Sequence, residues 1–305
     1  MSNRIIVTGG TGFIGRHAVD DLVARGWQVV VPTSQTDIAP RPGVEFVLCD
    51  LTDPDARTAL ARTANASHLL HIAWRAAVSG LWGAPENAQW LRASLDLVNA
   101  FLEAGGARVT VCGSCGEYDW ASGLCIEDET PLRPSTVYGT AKVSMLHGVK
   151  ALCEIKGASF AWGRPFFVYG PGEHESRLGA SVILSLLKGE DALCSHGMQL
   201  RDYMHSGDIG RGLSALAASD LTGEYNLATG EAVRVKDVIN AIAAEIGRPD
   251  RVRLGARQAS AFEPPLIVAD MAKTRASGLD WTPRFNLATG VADTIESFRS
   301  LAKSD

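Results

Sequence analysis

The stretch TGGTGFIG, residues 8–15, decides the fold. It follows RIIV, whose apolar residues Ile5 to Val7 are typical of a buried strand, and it opens the helical pattern FIGRHAVDDLVARG. Glycines at positions 9, 12 and 15 permit a tight turn, let a pyrophosphate approach the backbone and leave room for a helix against a strand. The amino terminus of that helix would face the anion. The stretch therefore predicts a dinucleotide-binding turn rather than a merely structural one.

Strand and helix patterns alternate along the first half of the chain. The predicted strands are RIIVTG, WQVVVP, VEFVLCD, HLLHIAW and ARVTVCG, and helical stretches such as PENAQWLRASLDLVNAFLEAGG separate them. A further helix over about 136–156 leads to SFAWGRPFFVYG, a sixth predicted strand. This alternation predicts an α/β fold of the Rossmann type, with a doubly wound parallel sheet.

Beyond residue 170 the pattern predicts a smaller, mostly helical substrate-binding region. LGASVILSLLKG, DIGRGLSALAAS, VKDVINAIAAEIG and the stretch from Ala288 onward have helical patterns, and links bearing Pro and Gly join them. EYNLATG is short and apolar, so we expect the chain to return to the main sheet near 205–230. The predicted organisation is a dinucleotide-binding domain over 1–170 and a substrate region over 171–305, with a soft boundary.

Composition excludes several classes of partner. The net charge of −5 over 305 residues offers no basic stripe for a nucleic-acid backbone. No apolar segment is long enough for a signal-peptide core or a membrane span, so we expect a cytoplasmic protein with no membrane contact. The six cysteines have no framework spacing and are expected to remain thiols. Cys112 and Cys115 lack the further ligands of a metal site, so no metal is expected.

The end of the second predicted strand bears on which dinucleotide is bound. A carboxylate there would hold a ribose 2′-hydroxyl and repel a 2′-phosphate. Thr33 and Ser34 stand at this position, and the first carboxylate after them is Asp37. Arg16 and Arg41 could reach a 2′-phosphate, or they could be solvated surface charges. The pattern favours NADP over NAD, with NAD as the alternative.

YGTAK places Tyr138 and Lys142 four residues apart at the start of a helix, on one face. A tyrosine phenol has a pKa near 10, and a nearby ammonium lowers that pKa by favouring the phenolate. The pair could then move a proton near neutral pH.

Taken together, these motifs make the chain similar to the extended short-chain dehydrogenase/reductase family. The resemblance runs through CDLTD, HIAW, GSCGEY, YGTAK, GRPFFVYGPGE and RDYMHSGDI, in that order. It implies that Ser114, Tyr138 and Lys142 form the catalytic set. It implies a cofactor site built from Gly9, Thr11, Gly12, Phe13, Ile14, Gly15, Arg16, Thr33, Ser34, Asp50, Leu51, Ala73, Trp74, Tyr138, Lys142, Pro165 and Phe166.

The resemblance also implies a nucleotide-diphosphate sugar as substrate. Arg201, in the RDY block, and Arg177 are the candidates for reaching its diphosphate, with a structural ion pair as the alternative for each. Ser114, Cys115 and Phe167 would lie near the sugar, although many members have an asparagine where this chain has Phe167. The resemblance further implies a homodimer formed through the two long helices beside the sheet.

Departures from the family pattern narrow the reaction. Members that eliminate water carry Asp and Glu directly after the Ser or Thr, whereas this chain has Cys115 and Gly116, so a dehydratase is not expected. Members that epimerise carbons 3 and 5 use a cysteine and a histidine that match Cys115 and His174 only after a shift of one or two positions.

The sequence therefore predicts NADPH-dependent reduction of a nucleotide-linked keto sugar of the 4-keto-6-deoxyhexose type. Tyr138 would donate the proton, Ser114 would bind the ketone oxygen, and Lys142 would tune Tyr138 and hold the ribose. One alternative is a nucleotide-sugar 4-epimerase that retains NAD. The other is a catalytically idle NADP-sensing or scaffold protein that has kept the fold.

Overall fold

A computed structural model of the protein describes residues 3–74, 80–258 and 263–301. The strands are β1 (Arg4–Thr8), β2 (Gln28–Thr33), β3 (Val44–Leu48), β4 (His68–His71), β5 (Arg108–Cys112), β6 (Leu124–Cys125), β7 (Ser159–Pro165), β8 (Phe167–Tyr169), β9 (Ala192–Leu193), β10 (Leu200–Arg201), β11 (Tyr203–His205), β12 (Gly223–Leu227), β13 (Val233–Arg234), β14 (Val252–Arg253) and β15 (Leu266–Ala269). The α-helices are α1 (Gly15–Ala24), α2 (Pro54–Thr63), α3 (Glu86–Glu103), α4 (Val137–Lys156), α5 (Leu178–Leu187), α6 (Ser206–Ala217), α7 (Val235–Ile246), α8 (Ala272–Ala276) and α9 (Leu287–Leu301).

The main sheet has seven parallel strands within the described ranges, in the order β12-β7-β5-β4-β1-β2-β3. Its interior strand β1 is apolar on both faces, as a strand covered by helices on both sides must be. Ile6 packs into the core under α2, α3 and α4, while Ile5 and Val7 pack under α1 and α6. The predicted doubly wound parallel sheet is confirmed.

Helix α4 has clear start and stop signals. The side chain of Thr136 accepts a hydrogen bond from the backbone N–H of Gly139 at 3.0 Å, which caps the first turn. Gly157 ends the helix in the left-handed conformation at φ 67°. This cap fixes the first turn of α4, which carries Tyr138, at the edge of the sheet.

The sixth predicted strand, over 159–170, is interrupted at Phe166. β7 pairs with β5 and β12 in the main sheet, whereas β8 pairs with β11 in a separate two-stranded sheet. Pro165, the last residue of β7, has no N–H to donate to a ladder, which favours a break at this point. The interruption turns the chain out of the main sheet and towards the C-terminal region.

The C-terminal region contains short strands as well as the predicted helices. β13, β10, β15 and β6 form a four-stranded sheet, and α5, α7 and α9 pack around a third core that includes Ile183, Ile239 and Ile295. β12 covers most of EYNLATG and pairs with β7 in the main sheet. The division of the chain near residue 170 stays a prediction. In the part of the chain that is described, no helix is both long and apolar enough to cross a membrane.

Candidate active site

A cleft of about 910 Å³ lies at the carboxyl ends of the parallel strands. Open α/β sheets bind ligands at this edge. Of the residues predicted from the sequence, the cleft is lined by Gly9, Thr11, Gly12, Phe13, Ile14, Gly15, Thr33, Ser34, Asp50, Leu51, Ala73, Trp74, Ser114, Cys115, Tyr138, Lys142, Pro165, Phe166, Phe167 and Arg177. Arg16 and Arg201 do not line it.

The glycine turn fits a dinucleotide. A Cβ on Gly15 would lie 2.0 Å from the carbonyl oxygen of Gly9, and a Cβ on Gly9, whose φ is 69°, would lie 2.9 Å from the backbone nitrogen of Ala73. No side chain can be added at either position without moving backbone. At Gly12 an added Cβ would approach only the Gly9 carbonyl, at 3.1 Å. The turn thus presents bare backbone to the cleft beside the start of α1, as a pyrophosphate requires.

A chain of hydrogen-bonded, buried side chains supports the wall of the cleft that carries Ala73. The hydroxyl oxygen of Thr8 accepts hydrogen bonds from the N–H groups of Ile72 and Ala73, each at 3.1 Å, and lies 2.8 Å from Nδ1 of His71. Nε2 of His71 lies 2.8 Å from the Ser94 hydroxyl, and burial lowers the pKa of His71 to about 3, so the ring is neutral. Sequence reasoning missed this chain, although polar residues inside apolar strands were the available signal.

Both arginines predicted to favour a 2′-phosphate are engaged elsewhere. The Arg16 guanidinium donates to the carbonyl of Pro171, and Arg41 pairs with Asp20.

The cleft beside the end of β2 is lined by Thr33, Ser34 and the neighbouring Gln35 and Pro32. Residues with hydroxyl side chains rather than a carboxylate therefore stand at the end of β2, and neither Arg16 nor Arg41 lines the cleft. The preference for NADP rests on the hydroxyls alone and stays a prediction.

Ser114 is held in place by Glu117. The backbone N–H of Ser114 donates to Oε1 of Glu117 at 2.7 Å, and the Ser114 hydroxyl accepts from the N–H of Gly116 at 3.1 Å. Oε2 of Glu117 accepts from Nε of Arg164 at 2.6 Å, and both side chains are fully buried. Trp162 donates to the same carboxylate at 3.1 Å. Sequence reasoning missed Glu117 and Arg164, although both lie in blocks that resemble the family.

Helix α4 brings Tyr138 and Lys142 beside Ser114. Its first turn packs so closely on the Ser114 loop that a Cβ on Gly139 would lie 2.1 Å from the carbonyl oxygen of Gly116. Nζ of Lys142 donates to the carbonyl of Cys112 at 2.9 Å. The three predicted catalytic side chains therefore share one corner of the cleft with the end of β5.

The charge environment of Tyr138 differs from the expectation. Burial raises the pKa of the Tyr138 phenol above its ordinary value, and a side-chain hydrogen bond with Ser114 acts in the opposite direction. Nζ of Lys142 lies 4.1 Å from the centre of the Trp74 ring and 5.8 Å from the centre of the Tyr138 ring. The ammonium sits over the indole rather than beside the phenol, so desolvation dominates. The phenol is protonated at neutral pH.

Trp82 is a cleft residue that the sequence did not reveal. Its indole is 41% exposed and meets the Tyr138 ring edge to face, with centroids 5.6 Å apart. The carbonyl of Trp82 accepts a hydrogen bond from the N–H of Tyr138 at 3.1 Å. Trp82 lies in the loop stretch GLWGAP, where neither strand nor helix periodicity marks a residue as facing a site. It forms an apolar wall next to the proposed proton donor.

The geometry does not favour acid–base roles for Cys115 and His174. Cys115 is 3% exposed, and burial raises the pKa of its thiol, so it is a poor base at neutral pH. His174 is exposed, interacts with Ser176 and does not line the cleft. All six cysteines are free and buried. Over the described residues, no group of three or more His, Cys, Asp or Glu side chains could hold a metal ion.

The two predicted diphosphate ligands differ in position. Arg177 lines the cleft, its side chain is 47% exposed, and its Nε lies 3.3 Å from Oε1 of Glu173. Arg201 is 3% exposed, donates to the carbonyl of Leu200 and pairs with Glu263 at 3.4 Å. Its guanidinium lies 5.3 Å from the ring centre of Phe167, which does line the cleft. Arg177 is thus the better placed of the two.

Comparisons with known proteins agree with this architecture. A model of the NAD dependent epimerase/dehydratase family matches residues 5–228. The dTDP-6-deoxy-L-talose 4-dehydrogenase (NAD(P)(+)) of Kitasatospora kifunensis is 29% identical, over 95% of this chain and 94% of the relative. The solved structure of MoeE5 in complex with UDP-glucuronic acid and NAD is 31% identical with a TM-score of 0.83, covering 98% of this chain and 99% of that one.

An epimerase is among the similar structures too. UDP-glucose 4-epimerase of Thermus thermophilus, solved in complex with NAD, is 26% identical with a TM-score of 0.83, covering 97% of this chain and 99% of that one. The family match spans most of the chain, in the order of the motifs that built the site. The chain therefore belongs to the NAD dependent epimerase/dehydratase family and is an NAD(P)-dependent enzyme of the extended short-chain dehydrogenase/reductase type.

Proposed function

We propose that the protein reduces the 4-keto group of a nucleotide-linked 6-deoxyhexose, with NADPH as the preferred reductant. The observation that carries the proposal is the corner formed by Ser114, Tyr138 and Lys142 in the same cleft as the glycine turn. Two other residues are candidate acid–base groups. Cys115 is a buried thiol whose pKa is raised by burial. His174 lies outside the cleft. Proton transfer at a single centre needs only the Tyr138 phenol.

Each side chain in that corner has one role. Ser114, fixed through Glu117, donates a hydrogen bond to the ketone oxygen, and Tyr138 delivers a proton to the same oxygen. Lys142 holds the ribose hydroxyls next to the cleft floor, where its ammonium already lies against Trp74. A bound nicotinamide supplies the hydride. Arg177 binds the diphosphate, since it is the half-exposed cation at the cleft rim.

Two known proteins support the substrate class. The Kitasatospora relative acts, by its name, at position 4 of a dTDP-linked 6-deoxy sugar and uses NAD or NADP. MoeE5 was solved with UDP-glucuronic acid bound. A nucleotide-diphosphate sugar is the ligand common to both. A cytoplasmic homodimer formed through α3 and α4 stays part of the prediction.

A 4-epimerase with retained NAD is the second candidate. The similarity to the Thermus epimerase supports this candidate. Arg16 and Arg41 support it as well, because they contact Pro171 and Asp20 rather than the cleft at the end of β2, which weakens the case for NADP. An idle NADP-sensing or scaffold protein is disfavoured, because sensing requires no proton donor and Ser114, Tyr138 and Lys142 form an intact corner.

The test is to mix purified protein with NADPH, or separately with NADH, and to add a nucleotide-linked 4-keto-6-deoxyglucose while following the absorbance of reduced nicotinamide. We expect stoichiometric oxidation, faster with NADPH. If neither cofactor is consumed and denaturation releases a tightly bound NAD, the reductase is excluded and the epimerase takes its place.

A further inference from the structure

Glu173 is the buried partner of Arg177, the arginine that lines the cleft. Its carboxylate is 4% exposed and contacts Nε of Arg177, whereas the Arg177 side chain is 47% exposed. The same carboxylate lies at the start of α5, where a Cβ on Gly179 would be 2.7 Å from Oε2 of Glu173 and the backbone N–H of Ala180 acts to lower the pKa of Glu173. A buried anion thus neutralises both the guanidinium and the positive end of the helix, the two features that would attract a diphosphate.

The second carboxylate oxygen of Glu173 is unsatisfied. Oε2 is fully buried and has no hydrogen-bond partner among the described residues. Glu173 borders a cavity of about 90 Å³ that is lined mainly by apolar side chains of β8, α5, α7 and α9. Arg177 lines this cavity as well as the cleft. Burying an ionised carboxylate with one oxygen unpaired costs free energy, so Glu173 favours its protonated form whenever Arg177 is drawn away.

In the described part of the chain, no other charged group on the cavity wall can replace Arg177 as the partner of Glu173. β8 and β11 contribute Tyr169 and Tyr203, whose pKa values are raised by burial, so both phenols stay neutral near pH 7. Among the described residues, α7 contributes Val238 and Ile242, and α9 contributes Val291 and Thr294. Among the described residues that line the cavity, the guanidinium of Arg177 is therefore the single positive charge beside Glu173.

We propose that Glu173 is a positioning residue that holds Arg177 in the free enzyme and yields it to the diphosphate of an incoming nucleotide sugar. This rests on the proposed function, in which Arg177 binds that diphosphate. The guanidinium keeps its charge and exchanges one anionic partner for another. Glu173, left buried without a cation, takes up a proton from solvent, and the cavity remains neutral.

The exchange has a defined pH dependence. Burial raises the pKa of Glu173 to about 7 although Arg177 acts to lower it. Binding removes Arg177 and adds a nearby anion, so the pKa of Glu173 is higher in the complex than in the free enzyme. Below pH 7 the carboxyl is already protonated and affinity is constant. Above pH 7 binding must take up a proton, and affinity falls by up to roughly tenfold for each pH unit.

The experiment is calorimetric binding from pH 6 to 9 of whichever of UDP-glucose and dTDP-glucose binds tighter. Each diphosphate is esterified at both ends and has no group that titrates in this range. Wild-type affinity should fall above pH 7, and E173Q should bind tightly at every pH because its amide is always neutral. E175Q, which removes an exposed carboxylate from the same loop, is the matched control and should follow the wild type.

The variants separate proton uptake by Glu173 from diphosphate binding by Arg177. If E173Q keeps the wild-type pH dependence while R177Q binds at least tenfold more weakly, Glu173 is not the proton acceptor but Arg177 still binds the diphosphate. If neither sugar nucleotide binds the wild type, the proposed function itself is wrong. A measurement on the wild type alone tests the inference even if E173Q does not fold. Binding heats at pH 8 in two buffers of different ionisation enthalpy should show net proton uptake. If no proton is taken up, the inference is overturned.

Discussion

Tyr138 occupies a site that suits a proton donor better than a base. Its ring lies between two tryptophans, with centroid distances of 6.0 Å to Trp74 and 5.6 Å to Trp82, and burial raises the pKa of its phenol. A protonated phenol can deliver a proton to a ketone oxygen without first acquiring one. The reverse oxidation would need the phenolate, which this environment disfavours.

Replacing Tyr138 with phenylalanine should remove the proton donor and little else. We expect Y138F to lower kcat for ketone reduction by roughly 10²- to 10⁴-fold, the usual contribution of a general acid. Cofactor affinity, measured by quenching of tryptophan fluorescence on titration with NADPH, should change less than about threefold. A Y138F enzyme with near-normal turnover would show that the proton comes from another group.

The raised pKa of Tyr138 predicts how the rate depends on pH. The acid form donates the proton and persists up to and beyond the ordinary tyrosine pKa of about 10. We therefore expect kcat for reduction, at saturating substrate so that Glu173 has no influence, to be flat from about pH 6 to 9 and to fall only at higher pH. A kcat that declines through pH 7 to 8 would mean that the donor has a lowered pKa instead.

At the scale of elements, the contact between α4 and the Ser114 loop sets the geometry of the corner. The two segments touch through the backbone of Gly116 and the α-carbon of Gly139, where a Cβ would lie 2.1 Å from a carbonyl oxygen. Tyr138 and Lys142 are on α4, and Ser114 is on the loop. Any substitution that separates these segments must separate Tyr138, the proposed proton donor, from Ser114, which is proposed to orient the ketone.

G139A should therefore impair catalysis more than its size suggests. Alanine favours helix by up to about 1 kcal/mol over glycine, so stability alone would rise. We expect instead at least a tenfold loss of kcat, because the carbonyl of Gly116 is backbone and cannot move cheaply. G148A in the same helix is the control, since its Cβ would meet only the flexible end of Leu95 at 2.6 Å. Equal kcat values for both variants would contradict this account.

The elements that could be predicted are those with a long periodic signal. Runs of apolar residues predict β1 to β5, and YGTAK marks the start of α4. Several other strands have only two residues each, too few for a period of two to be recognised. These are β6, β9, β10, β13 and β14. The pairing of Glu117 with Arg164 was equally hidden. The two residues are 47 positions apart and meet only once β5 and β7 lie side by side.

At the scale of the whole molecule, the site sits where two regions meet. The glycine turn and the catalytic corner come from the carboxyl edge of the main sheet, while Arg177 comes from the start of α5 in the C-terminal region. That the predicted cofactor residues line one cleft could be expected from the sequence, because they belong to local motifs of one sheet. The surroundings of the two predicted diphosphate ligands could not be expected from the sequence. Arg201 is buried and pairs with Glu263, and Arg177 pairs with Glu173.

In the proposed reaction, hydride passes from an exchangeable cofactor to carbon 4 of the sugar. The most direct test is to supply NADPH carrying deuterium at carbon 4 of its nicotinamide, in turn on each face, together with the 4-keto-6-deoxy nucleotide sugar. We expect one of the two cofactors to leave one deuterium per molecule at carbon 4 of the sugar, as seen by mass spectrometry and NMR. If the keto sugar stays unreduced and carbon 4 gains no deuterium from either cofactor, the reductase is contradicted.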